Sequence, residues 1–303
     1  MTSPSLDQIN LGSSDLRVSA LGIGTNAWNN NAELTSVFQT AQNLGINLFD
    51  TAEVYQLGGS ERRLGQIMRA TGQRPILATK FMPYPWRWSP SNLLDALRNS
   101  LKRLQTNQVD LYQIHFAFPP VAIETWVNAL ADAAQAGLTR AVGVSNYNPA
   151  QMKRAHAALA KRGVALVSNQ VEYSLLKRDV ERNGLLDLCR ELNVTLIAYK
   201  PLAKGLVSGR YTPDHPPQGL IGVMYNREYV RKIQPLVDQL RQIGEKHGKT
   251  CTQVALNWLI CKGTLPIPGA TSVRHLEENA GAMGWRLSQD QVATLDQLSA
   301  QIH

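Results

Sequence analysis

The stretch GINLFD, residues 45–50, contains the unit that repeats along this chain. A glycine suited to the end of a helix is followed by a run of mostly apolar residues, and the run ends in the ionisable Asp50. Nearly continuous apolar runs of this length are typical of parallel strands that are buried on both faces. The stretch therefore predicts a helix end, a buried strand and a polar strand end, in that order.

Seven further runs of this kind alternate with longer segments that have helical periodicity. The eight predicted strands cover residues 20–24, 46–50, 76–80, 109–115, 141–145, 165–170, 194–199 and 264–268. Alternating strands and helices form either an open doubly wound sheet or a closed barrel. The length of 303 residues and the even spacing of the first seven strands favour an α/β fold of the (β/α)8 TIM barrel type.

Three segments lie outside the repeat. Residues 9–11 and 16–18 are predicted to form an N-terminal β-hairpin around the turn at 12–15. The long separation of the seventh and eighth strands predicts an extra helix inserted within residues 200–249, and residues 288–302 predict another at the C-terminus. No linker divides the chain, so residues 1–303 are expected to form a single domain.

Composition limits the classes of function. Hydrophobic residues make up 44% of the chain, enough for a sizeable core, and no apolar run is long enough for a membrane span. Residues 1–10 lack the apolar centre of a signal peptide, so a cytoplasmic protein is expected. The three cysteines and six histidines show no disulfide framework or metal-ligand spacing. The net charge of +8 is scattered and no nucleic-acid motif accompanies it.

Polar residues collect where the predicted strands end. Asp50, Lys80 and His115 end the second, third and fourth strands, and the later strands end in Ser145-Asn146, Asn169-Gln170 and Tyr199. In a parallel barrel all these ends lie on the face where barrel enzymes place their active sites. A buried Lys or Asp is costly unless it is paired, so these groups are expected to meet one another, with Tyr55 in the loop above them.

Each of these residues has an ordinary explanation when it is taken alone. An Asp before Thr can cap a turn, a Lys at a strand end can be solvated, and a His after an apolar strand can be part of the core. The shared barrel mouth, rather than any single residue, predicts catalysis.

Seven motifs resemble those of the aldo-keto reductase family and occur in the family's order. They are GINLFDTAEVY at 45–55, ATK at 78–80, VDLYQIH at 109–115, VGVSNY at 142–147, SNQVEY at 168–173, IAYKPL at 197–202 and IPGA at 267–270. Within the family, the sequence around Lys80, Trp86 and residues 282–287 is similar to that of plant pyridoxal reductases and their cyanobacterial relatives. The resemblance implies a barrel enzyme that reduces aldehydes or ketones to alcohols with NADPH.

The resemblance also implies roles for four residues. Tyr55 would be the general acid, and Lys80 would lower the pKa of Tyr55. Asp50 would pair with Lys80 and hold it in place. His115 would orient the carbonyl oxygen and help to bind the developing charge.

The implied cofactor site follows the same face. Ser145, Asn146 and Gln170 resemble residues that bind the nicotinamide carboxamide, and Tyr199 resembles the aromatic that stacks on the nicotinamide ring. The rest of NADPH is expected near Gly24, Thr25, Asp50, Lys200, Pro201, Leu202, Arg210, Gly269, Thr271, Arg274, His275, Glu278 and Asn279. Two positions depart from the family: Lys200 stands where many relatives have Ser, and Thr271 where several have Lys or Arg. Thr271 can also act as a simple helix cap.

The expected partner is a small carbonyl substrate, with pyridoxal and other aromatic or small reactive aldehydes as candidates. Residues expected around it are Trp28, Tyr55, Phe81, Trp86, His115 and Phe116, with Trp88, Phe118 and Tyr225 nearby. A packed cluster within the loop is the alternative for Trp86 and Trp88, which lie near Pro83 and Pro85. A monomer or weak oligomer is expected, with no partner membrane or nucleic acid.

Two other functions stay open at this point. One is an NADPH-binding regulatory subunit with little turnover, because the β subunits of potassium channels share the fold and the Asp-Tyr-Lys set. Those subunits have Asn where this chain has His115. The other is a barrel hydrolase or isomerase, which would need a metal cluster or paired carboxylates.

Overall fold

Eight parallel strands form a closed barrel at the centre of the computed structural model, which describes residues 7–29 and 31–302. The barrel strands are β3 (Ile23–Gly24), β4 (Leu48–Asp50), β5 (Ile76–Phe81), β6 (Val109–Ile114), β7 (Thr139–Ser145), β8 (Leu166–Glu172), β9 (Thr195–Tyr199) and β10 (Leu265–Pro266). Each strand pairs with the next one along the chain, and β3 meets β10 through a bridge between Gly24 and Gly269. The predicted (β/α)8 barrel is confirmed, with a strand at each of the eight predicted positions.

Helices surround the barrel and connect its strands. They are α1 (Leu34–Asn43), α2 (Gly59–Thr71), α3 (Pro90–Leu104), α4 (Ile123–Gln135), α5 (Pro149–Ala160), α6 (Asp179–Arg182), α7 (Leu185–Glu191), α8 (Gly219–Met224), α9 (Arg227–His247), α10 (Cys251–Cys261), α11 (Val273–Ala280) and α12 (Gln289–Ala300). Asn148 and Thr250 precede α5 and α10, each in a capping box with the glutamine three residues further on. These boxes satisfy backbone amides that the first turn of a helix leaves without partners.

The N-terminal hairpin closes one end of the barrel. Its strands β1 (Gln8–Asn10) and β2 (Arg17–Ser19) are antiparallel, with Ile9 opposite Val18, which confirms the predicted pairing. Three buried residues of the hairpin belong to the same apolar cluster as the inward-facing strand residues: Leu11, Leu16 and Val18. Gly12 lies so close to the Val167 carbonyl that a Cβ atom there would come within 2.4 Å. The opposite end of the barrel is therefore the open mouth.

The segment between β9 and β10 holds more structure than predicted. One extra helix was expected within residues 200–249, whereas α8 and α9 both lie there ahead of α10. Asn226 separates them, because its side chain accepts a hydrogen bond from the Tyr229 amide at 2.9 Å and so begins α9. The predicted C-terminal helix is confirmed as α12, which follows the capping residue Ser288.

Among residues 7–29 and 31–302, no helix is long and apolar enough to cross a membrane. Within the same ranges, no group of three or more His, Cys, Asp and Glu side chains is placed to hold a metal ion. Residues 1–6 of the polar N-terminal segment lie outside the described residues.

Candidate active site

Three ionisable side chains lie at the carboxyl ends of neighbouring barrel strands. Asp50 ends β4, Lys80 is the second-last residue of β5, and His115 directly follows β6. The parallel register pairs Asp50 with Ala78 and Lys80 with Gln113, so each strand is shifted relative to the one before it. This stagger accompanies barrel closure and brings the three residues to one mouth.

Asp50 and Lys80 form a buried ion pair. The fully buried Lys80 ammonium lies 2.5 Å from Asp50 Oδ2. It also donates to the Thr51 carbonyl at 2.8 Å and to the Tyr55 hydroxyl at 3.3 Å. Gln170 Nε2 donates to the other carboxylate oxygen of Asp50 at 2.8 Å. Burial by itself lowers the pKa of Lys80, but Asp50 and Tyr55 outweigh it and raise that pKa, so the amine is charged.

Tyr55 lies in the loop after β4, and the centroid of its ring is 4.9 Å from the Lys80 ammonium. Burial raises the pKa of Tyr55, and the attraction of Lys80 acts in the opposite direction without cancelling that effect. Lys80 does lower the pKa of Tyr55, as expected, but desolvation of the phenolate raises that pKa by more. The Tyr55 hydroxyl is therefore protonated at neutral pH and can donate a proton.

The His115 imidazole meets the Tyr55 ring edge-on, with 5.9 Å between the ring centroids. Burial, and then the charge of Lys80, lower the pKa of His115 to about 3. The ring is therefore neutral near pH 7, so one nitrogen is a donor and the other an acceptor. Its Nδ1 is buried and has no hydrogen-bond partner among the described residues. A neutral imidazole here can orient an oxygen atom without adding a second positive charge.

Polar side chains from β7 to β9 form a hydrogen-bonded network beside the ion pair. Asn146 Nδ2 donates to Ser145 Oγ and to the His115 carbonyl, both at 3.0 Å. The Tyr199 hydroxyl donates to Asn146 Oδ1 at 2.9 Å, and Ser145 Oγ donates to the Gln170 carbonyl at 2.8 Å. An aromatic ring beside amide and hydroxyl groups is the chemistry that a nicotinamide and its carboxamide require.

A polar groove of about 530 Å³ runs along the mouth between α11 and the segment after β9. The predicted cofactor residues that line it are Leu202, Arg210, Gly269, Arg274, His275, Glu278 and Asn279. Its cationic side chains are Lys204, Arg210 and Arg274, and Glu278 is its acidic one. A Cβ atom at Gly205 would come within 2.9 Å of the Arg210 guanidinium, so glycine allows that group to approach. This donor set fits the phosphate groups of a dinucleotide.

Besides Asp50 and the polar network, five residues predicted to bind the cofactor do not line this groove: Gly24, Thr25, Lys200, Pro201 and Thr271. The Thr25 side chain is buried and donates to the Asp50 carbonyl at 3.0 Å, so it braces the strand end. Lys200 has a φ of 50° and is exposed, and its ammonium lies 3.2 Å from Glu172 Oε2. An ion pair outside the groove is the observed environment of Lys200.

Aromatic side chains from the loops after β5 and β6 border the mouth. Trp86 is 68% exposed and stacks on Tyr84, with 4.7 Å between ring centroids. Phe116 stacks on His115 and Phe118 stacks on Phe116, each at 4.9 Å. The rings of Phe116 and Phe118 therefore extend a flat apolar surface outward from the imidazole.

Trp28 and Phe81 are not exposed at the mouth, contrary to expectation. Both are fully buried, and Trp28 Nε1 donates to the Ala270 carbonyl at 2.9 Å. Phe81 packs on Trp126 with 4.9 Å between ring centroids. Because side chains alternate along a strand, Phe81 points outward to the helices when Lys80 points into the barrel. The surface available to a substrate excludes these two rings.

Two features of the site were not predicted from the sequence. Lys204 lines the groove, and Glu53 pairs with Arg87 at 2.5 Å behind the loop of Tyr55. Lys204 and Gly205 have φ values of 59° and 87°, so the Lys-Gly pair after the seventh predicted strand was a weak turn signal. Glu53 and Arg87 lie on different loops, and no local pattern predicts that they meet.

Sequence comparison and structure comparison with known proteins find the same family. The profile of the Aldo/keto reductase family matches residues 20–300. The chain is 40% identical to the chloroplastic pyridoxal reductase of Arabidopsis thaliana, over 93% of this chain and 83% of that protein. The glycerol dehydrogenase of Gluconobacter oxydans superposes with a TM-score of 0.87 at 25% identity, covering 99% of this chain and 96% of that one. An aldo/keto reductase from Klebsiella pneumoniae, solved with NADP and acetate, gives 0.76 at 29% identity, covering 95% and 93%.

Proposed function

Because the chain belongs to the aldo/keto reductase family, we propose that it reduces aldehydes and ketones to alcohols with NADPH as the hydride donor. Members of this family are oxidoreductases that act on small carbonyl compounds and generally bind NAD(P)H. The observation that carries the proposal is the buried Lys80 ammonium, which donates both to Asp50 and to the Tyr55 hydroxyl at the barrel mouth.

Tyr55 is the proposed general acid. The bound cofactor would supply a hydride to the carbonyl carbon. As negative charge develops on the carbonyl oxygen, the Tyr55 hydroxyl donates its proton to that oxygen, and the product is an alcohol. Lys80, 3.3 Å from the hydroxyl, stabilises the phenolate that remains. Asp50 keeps Lys80 charged and in place, which limits the cost of burying the ammonium.

His115 is the proposed group that orients the substrate. With a pKa lowered to about 3, its imidazole is neutral and offers a hydrogen bond to the carbonyl oxygen. That bond strengthens as the oxygen becomes negative, so it favours the transition state over the bound substrate. The same bond fixes the oxygen beside Tyr55, whose ring lies edge-on to the imidazole.

NADPH is the proposed cofactor. Ser145, Asn146 and Gln170 would hold the carboxamide, and the ring of Tyr199 would support the nicotinamide. The cationic groove that contains Arg210 and Arg274 supports binding of the phosphate groups. The dissociation constants of NADPH and NADH, measured in one buffer, test this preference. Equal constants would contradict it.

Aromatic aldehydes, pyridoxal among them, are the proposed substrates. The similarity to a protein named pyridoxal reductase supports this class, as do the exposed Trp86 and the stacked Phe116 beside His115. We further propose that residues 1–303 act as one domain in a cytoplasmic monomer or weak oligomer. Cell fractionation tests the location, light scattering tests the oligomeric state, and a single cooperative unfolding transition is expected for one domain.

The central experiment follows NADPH oxidation with a panel of pyridoxal, 4-nitrobenzaldehyde, methylglyoxal, short aldehydes and sugar aldehydes. We expect turnover by the wild-type protein and a loss on the order of 100-fold or more in Tyr55→Phe, with NADPH binding retained. Tyr147→Phe is the matched control, because it removes a buried hydroxyl that has no partner within the described residues. Turnover retained by Tyr55→Phe would reject Tyr55 as the acid. NADPH binding without turnover on any carbonyl would instead favour a regulatory subunit.

A further inference from the structure

Tyr55 begins a turn whose backbone is strained. Gln56, Leu57 and Gly58 follow it with φ values of 51°, 53° and 79°. Residues other than glycine rarely adopt this left-handed region, and two of these three have side chains. Leu57 is 87% exposed, so burial of its side chain does not anchor the turn. The position of the Tyr55 hydroxyl therefore depends on contacts made elsewhere in the loop.

Glu53, two residues before Tyr55, provides such contacts. Its side chain is only 9% exposed and accepts three hydrogen bonds. One comes from the Met82 amide at 2.6 Å, and two come from the Arg87 guanidinium at 2.5 and 3.0 Å. The paired bonds from one guanidinium fix both the distance and the orientation of the carboxylate. The Glu53 amide also reaches the Lys80 carbonyl at 3.4 Å, which ties the loop to the strand end that carries the ammonium.

Arg87 is itself held on both sides. Its Nη1 donates to the Met82 carbonyl at 2.7 Å. The guanidinium carbon lies 4.9 Å from the ring centroid of the buried Phe81 and 5.1 Å from that of Tyr84. The guanidinium therefore has a fixed position from which it can hold Glu53.

We propose that Glu53 and Arg87 are positioning residues that set the distance between the Tyr55 hydroxyl and the Lys80 ammonium. The proposal rests on the proposed function, in which Tyr55 is the acid. The pair is connected to Tyr55 through the backbone of residues 53–55 and to the Lys80 strand end through Met82 and the Lys80 carbonyl. Loss of either partner leaves a nearly buried charge without its counterion and releases the strained turn.

The test combines steady-state kinetics with hydrogen–deuterium exchange of a peptide that covers residues 53–58. In Arg87→Met we expect kcat to fall on the order of 10- to 100-fold, because a small displacement of the acid is costly. KM for a short aldehyde should change by less than about twofold, because the proposed role of the pair is to place the acid rather than to bind the substrate. Exchange in the peptide should rise. The double variant Glu53→Gln/Arg87→Met should be no slower than the slower single variant, as expected for residues that act as one unit.

Two further variants make the result specific. Arg87→Lys keeps the charge but not the paired hydrogen bonds, and it should fall between the wild type and Arg87→Met in both kcat and exchange. It also serves as the test protein if Arg87→Met does not fold. Arg178→Met is the matched control, because Arg178 is similarly buried and pairs with Glu181 of α6 and with Asp296 of α12. It should lower the melting temperature but leave kcat and exchange at residues 53–58 unchanged.

Wild-type kcat in Arg87→Met would overturn the proposal. A fall in kcat without faster exchange at residues 53–58, or an equal fall in Arg178→Met, would overturn it as well. A wild-type protein that reduces no carbonyl would reject the proposed function instead. The exchange comparison needs no substrate, so unchanged exchange in Arg87→Met would still reject the clamp in that case.

Discussion

Replacement of His115 by Asn tests the protonation state on which the site depends. Burial and the charge of Lys80 lower the pKa of His115 to about 3, whereas its ordinary value is 6.5. The folded protein therefore binds this proton more weakly than the unfolded chain does. The free energy of unfolding is unaffected well above pH 6.5, and it decreases as the pH falls from 6.5 towards 3.

The size of the effect follows from the two pKa values. At pH 5 nearly every unfolded molecule carries the proton at this position and almost no folded molecule does. Between pH 7 and pH 5 the wild-type protein should lose about 2 kcal/mol of unfolding free energy through His115. Any folded pKa below about 4 gives nearly the same loss, because the unfolded state dominates the proton uptake in this interval. Asparagine does not titrate, so His115→Asn should lack this loss.

The assay is urea unfolding of the protein without cofactor at pH 7, 6 and 5, followed by tryptophan fluorescence. The quantity compared is the change in unfolding free energy with pH, so other titrating groups cancel between variants. Tyr147→Phe is the control, because the raised pKa of this buried tyrosine keeps it protonated between pH 5 and pH 7, so the variant should keep the wild-type pH dependence. An identical pH dependence in His115→Asn and the wild type would refute the reasoning, since it would mean that His115 binds its proton equally well in both states.

Three more predictions concern the same mouth. Lys80→Met should lower the unfolding free energy, measured by urea unfolding, by about 3–5 kcal/mol at pH 7, because it leaves Asp50 buried without its counterion. The double variant Asp50→Asn/Lys80→Met should recover part of the lost free energy. Because the pKa of Lys80 is raised, its stabilising contribution is complete below pH about 10.4 and is lost as the pH rises through the folded pKa. Gly143→Ala should cost about 1–3 kcal/mol in the same assay, because the new Cβ would lie 2.1 Å from Ser168 Oγ, and Ser168→Ala should relieve part of that loss. Arg274→Gln should weaken NADPH binding about tenfold in a fluorescence titration and leave NADH binding nearly unchanged. Equal weakening of both would contradict a role for Arg274 at the phosphate group that NADPH has and NADH lacks.

The barrel and its polar strand ends were predictable because they depend on periodic patterns. Apolar runs such as residues 46–50 and 109–115 predicted strands in every case, and parallel strands place their carboxyl ends on one face. Asp50 and Lys80 were therefore expected to meet, although they are thirty positions apart, and the ion pair is observed at 2.5 Å. Each strand and the charged residue that ends it are adjacent in the sequence, so a local pattern was enough to predict the position of that residue at the mouth.

Contacts between loops were not predictable in this way. Trp28 was expected at the mouth, but its indole donates to the Ala270 carbonyl and is fully buried, which depends on how two distant loops pack. Glu53 and Arg87 likewise meet only because the loops after β4 and β5 are neighbours in the closed barrel. Phe81 differs from these, because alternation along β5 already placed it opposite to Lys80. That rule alone excludes Phe81 from the substrate surface.

The charges at the mouth explain why His115 must be neutral if Lys80 is to assist Tyr55. The Lys80 and Asp50 charges cancel, and the raised pKa of Tyr55 keeps its hydroxyl protonated, so the cluster of these three residues has little net charge before reaction. In the proposed reaction the ammonium is then the group that stabilises the phenolate left by proton transfer. A charged imidazole beside it would compete for that phenolate and would repel Lys80. Burial of His115 therefore has two effects: it destabilises the folded protein at low pH, and it keeps the imidazole neutral, so that the Lys80 ammonium is the positive charge next to Tyr55.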